Sequence, residues 1–189
     1  MAPRRIVIVG TSGSGKSTLA ERISEKLNIP IVELDALFWK DNWTNLNDKE
    51  FLNRVEQSVA PSSWVLTGNY SKARKIIWSR ADTLIWLDYS YAHTFKQILS
   101  RSIKRAWTKE PLWGTNCTES FRRSFFSKES VILWMMTSYR DNKLEYNRVF
   151  SQRPFDNLSY LRFTNPQDTE KWLQNLNKNG PSERDDGAK

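Results

Sequence analysis

The stretch Gly10-Thr11-Ser12-Gly13-Ser14-Gly15-Lys16-Ser17-Thr18 lies between the apolar run Ile6–Val9 and the segment LAERISEKL, residues 19–27. Gly10, Gly15, Lys16 and Ser17 fill every fixed position of G-x-x-x-x-G-K-[ST], the phosphate-binding P-loop. The flanks match that motif. Ile6–Val9 is short, apolar and β-branched, as expected of a strand buried on both faces. Leu19, Ala20, Ile23 and Leu27 recur at three- to four-residue spacing, which predicts a helix over 16–27. Strand, glycine loop and helix in that order close the backbone N–H groups of Gly13, Ser14 and Gly15 round an anion at the positive end of a helix. Lys16 then reaches the β- and γ-phosphates of ATP and the Ser17 hydroxyl ligates Mg²⁺, with Ser12 and Thr18 in the same cradle.

The chain around this loop has 189 residues, enough for one domain with a sizeable core. No apolar run approaches the ~20 residues that span a membrane, and none near the N-terminus has signal-peptide form. The single cysteine, Cys117, excludes an intrachain disulfide and a cysteine-based zinc site. A cytoplasmic enzyme is the expectation. Residues 1–177 read as one domain, with no internal repeat, and the polar, Gly/Pro-punctuated stretch 178–189 reads as a disordered tail.

Further apolar runs at 31–34, 64–67, 83–87 and 160–163 alternate with helical patterns at 48–60, 71–80, 91–108, 128–150 and 167–177. Such alternation predicts an α/β fold with a parallel sheet, whose ligands gather beyond the carboxyl ends of the strands. Asp48 and Asp168 are helix-start signals.

Each strand end offers candidates. Asp35 follows IVEL and is placed to orient an acceptor hydroxyl or a metal-bound water, with a turn or helix cap as the alternative. Trp39 and Trp43 suit either a cover over a ring-shaped substrate or packing, and packing is preferred for Trp43. Gly68, Asn69 and Tyr70 follow the third run, and Arg74 could meet an anionic acceptor. A turn into a helix explains the glycine equally well. Asp88 after TLIWL has the form of a Walker B carboxylate on Mg²⁺. Asn165 after YLRF suits the adenine edge, and His93, the one histidine, is read as structural.

The net charge of +8 is concentrated. Between Arg101 and Lys128 seven basic residues face two acids, an excess of five. Arg101 and Arg105 share a helix face one turn apart, so the segment 101–128 reads as an arginine-bearing lid that places positive charge on a migrating phosphoryl group and excludes water. Arg122 and Arg123 extend it. The same charges could form a nucleic-acid surface. A solvated helix face is the third use. Phe121, Phe125, Phe126 and Trp134 read as core.

Taken together, VGTSGSGKSTLAERISEKLNIPIVELDALFW, WVLTGNYSKARKIIWSRADTLIWLD and RSIKR resemble the small P-loop kinase-like proteins known as topology modulation proteins or adenylate kinase-related ATPases. The resemblance runs over residues 4–108 and more weakly through WGTNCTESF and WMMTSYR. It implies a five-stranded parallel sheet of order 2-3-1-4-5, Mg-ATP on the P-loop, an acceptor over Asp35 and Gly68-Asn69-Tyr70, and a lid with Arg101 and Arg105. The expected activity is an ATP- and Mg²⁺-dependent phosphotransferase on a small metabolite, a nucleoside or nucleotide among the candidates. The alternative is a regulatory ATP-binding protein or ATPase that meets nucleic acid or a protein partner through its basic segment.

Overall fold

The structure, a computed structural model, describes residues 3–120 and 130–176. Five strands make one sheet: β1 (Arg5–Gly10), β2 (Ile31–Glu33), β3 (Trp64–Thr67), β4 (Thr83–Leu87) and β5 (Ser159–Phe163). Every pairing is parallel and the order is β2-β3-β1-β4-β5, as the sequence resemblance implies.

The helices between them are α1 (Lys16–Leu27), α2 (Leu34–Phe38), α3 (Asp48–Ser58), α4 (Arg74–Arg80), α5 (Tyr91–Thr108), α6 (Val131–Gln152) and α7 (Pro166–Asn175). Because side chains alternate along a strand, each central strand feeds two cores. Val7, Val9, Leu66, Leu84 and Trp86 pack against Phe51, Val55, Ile77 and Tyr146 of α3, α4 and α6. Ile6, Ile8, Val65 and Ile85 pack against Leu19, Ala20 and Ile23 of α1 and Leu173 of α7. Burial on both faces is why these strands read as continuous apolar runs. Phe51 is 1% exposed, so truncating it to alanine would cost about 3–5 kcal/mol.

Both helices start within a residue of the expected 48 and 167, and the capping residue stands just before each. Asn47 caps α3, its side-chain oxygen accepting from the Glu50 N–H at 2.9 Å, so Asp48 sits in the first turn. Asn165 caps α7, accepting from the Asp168 N–H at 2.9 Å. The second strand is shorter than the apolar run IVEL. It ends at Glu33, and Leu34 opens α2.

Of the expected lid, the structure describes the end of α5 and the loop 109–120; Phe121, Arg122, Arg123, Phe125, Phe126 and Lys128 lie outside the described residues, as does the tail 178–189. Among the described residues no helix is long and apolar enough to cross a membrane.

Candidate active site

A cleft of about 1920 Å³ opens over the carboxyl ends of β1, β2 and β3, lined by the P-loop, α2, the start of the β3–α4 loop, the inner face of α5 and the loop after it. A pocket for one small ligand takes roughly 300–1,000 Å³, so the cleft has room for two.

Its phosphate end is built from the quoted loop. Gly13 has φ +83, and a Cβ there would stand 2.6 Å from the Thr94 carbonyl oxygen and 2.9 Å from the Ile98 Cβ, so only glycine lets α5 close against the loop. Ser12, Gly13, Ser14, Gly15, Lys16, Ser17 and Thr18 all line the cleft. Two polar atoms here are orphaned: the Ser14 Oγ and the Arg101 Nε are buried without a hydrogen-bond partner. A buried donor left unpaired is costly, and an anion in the cleft beside Arg101 would relieve that of its guanidinium. The residues present therefore fit a polyphosphate. The Lys16 ammonium turns back on the loop, donating to the carbonyl oxygens of Gly10 at 2.9 Å and Thr11 at 3.0 Å. Burial lowers its pKa from 10.5 to about 8; the attraction of Asp35 opposes that and the repulsion of Arg101 adds to it.

Sequence reasoning missed Glu33. Its carboxylate is hydrogen-bonded to the Ser17 hydroxyl and feels Asp35, and burial raises its pKa first, with Asp35 next. Ser17 and Glu33 together offer the hard oxygens that suit Mg²⁺, which takes one or two carboxylates and leaves the rest of its shell to phosphate and water. No group of three or more His, Cys, Asp or Glu side chains able to hold a metal occurs among the described residues. Glu33 was hidden because IVEL reads as strand to its end; once the strand stops at Glu33, this acid is the residue at its carboxyl end.

Asp88 was expected there instead, and its surroundings correct that. Along β4 the even-numbered residues Leu84 and Trp86 face α6, and Asp88 continues that face. Its carboxylate accepts from Arg162 through Nε at 3.0 Å and Nη2 at 2.5 Å and meets the Lys143 ammonium at 3.2 Å. With both oxygens engaged by cations, the buried Asp88 carboxylate joins β4 to β5 and α6 through two partly exposed partners.

Beyond the phosphate end stands Asp35, on the first turn of α2. The Tyr70 hydroxyl donates to its Oδ1 at 2.7 Å. Burial and the charge of Asp35 push the Tyr70 pKa up, and the Trp39 indole N–H donates to the same hydroxyl. Gly68 admits this geometry: at φ +137 a Cβ would fall 2.7 Å from the Leu34 Cβ, so the β3 loop can lie against α2 only without one. Arg101 is charge-coupled to both Lys16 and Asp35, and burial lowers its pKa. Arg105, one turn on, is held by Glu119 at 3.1 Å. Arg101, Lys104 and Arg105 all line the cleft, Lys104 at its exposed rim, while the exposed Lys109 stands outside the lining.

Three expected ligand contacts go to other partners. The Asn69 amide donates to the Gly10 carbonyl at 2.7 Å, while its oxygen accepts from the Gly10 N–H at 3.4 Å, so Asn69 clips the β3 loop to the start of the P-loop. Arg74 is bound to Glu145 at 2.6 Å and lies over the Trp78 ring at 4.7 Å. Asn165 spends its side chain on the cap of α7, with its amide also donating to Asp168 at 2.6 Å. Trp39 and Trp43, each read as either a cover or packing, both line the cleft. His93 sits in the first turn of α5 against Gln97 at 2.9 Å and the edge of Tyr89.

Residues 6–96 match a family model described as an AAA domain. No curated protein matches the chain. Among solved structures, a shikimate kinase from Acinetobacter baumannii in complex with shikimate superposes with a TM-score of 0.56 at 15% identity, over 95% of this chain and 96% of that one. A gluconokinase from Sinorhizobium meliloti 1021 gives 0.51 at 17% identity over 93% of each chain. A shikimate kinase from Bacteroides thetaiotaomicron gives 0.52 at 13% identity, over 94% of this chain and 98% of that one. At these identities the likeness is one of architecture: the chain has the P-loop α/β fold that these small-metabolite kinases share.

Proposed function

We propose that the chain is an ATP- and Mg²⁺-dependent phosphotransferase acting on a hydroxyl group of a small metabolite, with nucleosides and nucleotides among the candidate acceptors. The observation that carries this reading is the meeting of Lys16, Asp35 and Arg101 in one cleft, each within electrostatic reach of the others. A cleft that only stored a nucleotide would have no use for a carboxylate facing the phosphate lysine.

The roles follow from the geometry. Asp35 has one oxygen fixed by Tyr70, which leaves the other to accept a proton from the acceptor hydroxyl. Tyr70, kept protonated by burial and by the adjacent charge, orients the carboxylate. Lys16 and Arg101 bring positive charge to the migrating group, where the transition state spreads negative charge over its oxygens. Ser17 and Glu33 would hold Mg²⁺, which when bound neutralises phosphate charge. Closure of α5 and its loop over these groups excludes water, favouring transfer over hydrolysis. The kinase architecture of the structural neighbours and the resemblance to adenylate kinase-related ATPases support the same reading.

The test is acceptor-dependent ADP release from Mg-ATP across a panel of hydroxyl compounds, run on the wild type and on Asp35→Asn. The expected result is a rate that depends on one acceptor class and falls about 10²-fold or more in the variant. ATP turnover indifferent both to added acceptors and to Asp35→Asn would sink the proposal.

A further inference from the structure

The loop beyond α2 and the loop after α5 each close on themselves. In the first, the Lys40 N–H donates to the Thr44 carbonyl at 2.8 Å and the Thr44 N–H to the Asp41 carbonyl at 3.2 Å. In the second, the Leu112 N–H donates to the Cys117 carbonyl at 2.8 Å and the Thr115 N–H to the Leu112 carbonyl at 2.9 Å. Each loop is thus a small unit held by its own bonds.

The two units are also fastened to each other, although Asn42 and Asn116 stand 74 residues apart in sequence. The Asn42 N–H donates to the Asn116 Oδ1 at 2.7 Å, the Asn116 N–H to the Asp41 Oδ1 at 2.9 Å, and the Asn116 amide to the Asn42 Oδ1 at 3.2 Å. The Trp43 N–H donates to the Cys117 Sγ at 3.3 Å, and that thiol donates to the Lys40 carbonyl at 3.2 Å. Asn116 takes part in three of these five bonds. Asp41, Asn42 and Asn116 are exposed, so water could serve their polar groups equally well. What the bonds add is the join. It is made against backbone preference, since Trp43 has φ +56, where a bulky residue is an outlier held only by its surroundings.

Each unit is attached to one part of the chemistry. The first continues from α2, which carries Asp35. The second continues from α5, whose Arg105 meets Glu119 just beyond it at 3.1 Å. That helix is pressed on the P-loop at Gly13, and its Arg101 lines the cleft with a buried, unpaired Nε. A polyphosphate settling on the P-loop and Arg101 therefore acts on α5 and on the loop that follows it. Through Asn116 it then reaches the wall of the acceptor end.

We propose that Asn116 is a positioning residue for the transfer: it makes the loop beyond α2 and the loop after α5 open and close as one body, so that nucleotide on the P-loop orders the acceptor end. This rests on the phosphotransferase reading above. Asn116 acts through Asp41 and Asn42, and the acceptor meets an ordered wall only once the nucleotide is in place. Water is then shut out of both ends together, which favours transfer over hydrolysis.

Amide hydrogen exchange, read by NMR on the full chain under conditions that report equilibrium opening, tests this with Mg²⁺ and a non-hydrolysable ATP analogue as the probe. The reporters are Lys40 and Thr44 in one loop and Leu112 and Thr115 in the other. None of these four donors bonds to Asn116, so its loss leaves their own bonds in place. With the analogue at about ten times its Kd, exchange in the wild type should slow about tenfold at all four, because one opening excludes the nucleotide. In Asn116→Ala the analogue should still slow Leu112 and Thr115 about tenfold while Lys40 and Thr44 stay within about twofold of their nucleotide-free rates. A merely structural role would change the basal rates and leave the response to nucleotide shared. If Asn116→Ala loses its native spectrum, Asp41→Ala, which cuts the join from the other loop, decides on the same criterion. Loops that respond separately in the wild type, or together in the variant, overturn the proposal. Shifts at Gly13 and Gly15 with neither loop protected also overturn it, while the kinase reading stands on acceptor-dependent ADP release. No response at Gly13 and Gly15 overturns both.

Discussion

The two ends of the cleft are made in different ways. The phosphate end is one continuous stretch, Gly10–Thr18, in which backbone geometry does most of the work and spacing in sequence is spacing in space. The acceptor end is assembled from side chains of residues 33–45, 67–72, 101–105 and 111–119, brought together by the sheet and by hydrogen bonds between loops. A backbone cradle tolerates changes in what surrounds it, whereas an assembled pocket fails when any one loop shifts. Substitutions at the two ends should therefore separate chemistry from support.

The largest effects belong to the groups at the reacting centre. Asp35→Asn keeps the shape of α2 but loses the proton acceptor, so kcat should fall about 10²–10⁴-fold. ATP affinity, measured by calorimetry, should hardly move. Lys16→Ala should cost about 10²–10³-fold in kcat with the fold intact, because the loop backbone survives and the charge does not. Parallel losses of ATP binding and kcat in Asp35→Asn would erase the contrast between the two ends.

The next contrast lies within α5. Arg101 has a buried Nε without a partner, while Arg105 is tied to Glu119. Arg101→Lys keeps the charge but loses the planar fork, and kcat should drop about tenfold or more. Arg105→Lys should cost less, since its ion pair survives. If these arginines served a nucleic-acid surface, summed charge would be all that mattered and neither change would register. Gel-shift titrations at two salt concentrations, run beside the ADP assay, decide between them.

Two acids show how much of this was legible beforehand. Asp35 and Asp88 both follow an apolar run, and nothing in the sequence ranks one above the other. The sheet does. Asp88 falls on the face of β4 that packs against α6, where Arg162 and Lys143 await it, and those partners lie 74 and 55 residues away. Asp88→Asn should therefore lower stability by about 1–3 kcal/mol in urea unfolding, less than a fully buried pair because both cations are 40% exposed. Mg²⁺-dependent nucleotide binding should be unchanged. The fold was readable because parallel strands buried on both faces leave unbroken apolar runs, and β1, β3 and β4 appear where those runs stand. The acceptor end was not, because Trp113, Cys117 and Asn116 reach Trp43 through contacts between loops some 70 residues apart.

Lys16 sharpens the comparison through pH. Its folded-state pKa of about 8 lies below the ordinary 10.5, so between those values the unfolded chain holds the proton that the folded chain has released. Unfolding then takes up a proton, and stability rises with pH across that window. Below pH 8 the cost of the confined charge is fully present. Lys16→Met, which has no such charge, should be more stable than the wild type at pH 7, and the gap should close between pH 8 and pH 10.5. A gap that stays constant in urea unfolding over that range would mean the ammonium is not confined by the loop.

The smallest effect separates two uses of one side chain. Asn165 stands at the carboxyl end of β5, where an adenine edge was expected, yet its oxygen caps α7 and its amide meets Asp168. A cap requires only an acceptor oxygen, so Asn165→Ser should be nearly neutral and Asn165→Ala should cost about 1 kcal/mol of stability. A contact to adenine requires the amide, with its donor and acceptor in fixed relation, and serine cannot reproduce it. ATP affinity equal in the wild type and Asn165→Ser, alongside a lower melting temperature for Asn165→Ala, assigns the residue to the helix. A drop in ATP affinity in Asn165→Ser without loss of stability would mean that the side chain leaves its cap when nucleotide binds, and would extend the assembled part of the site to the far edge of the sheet.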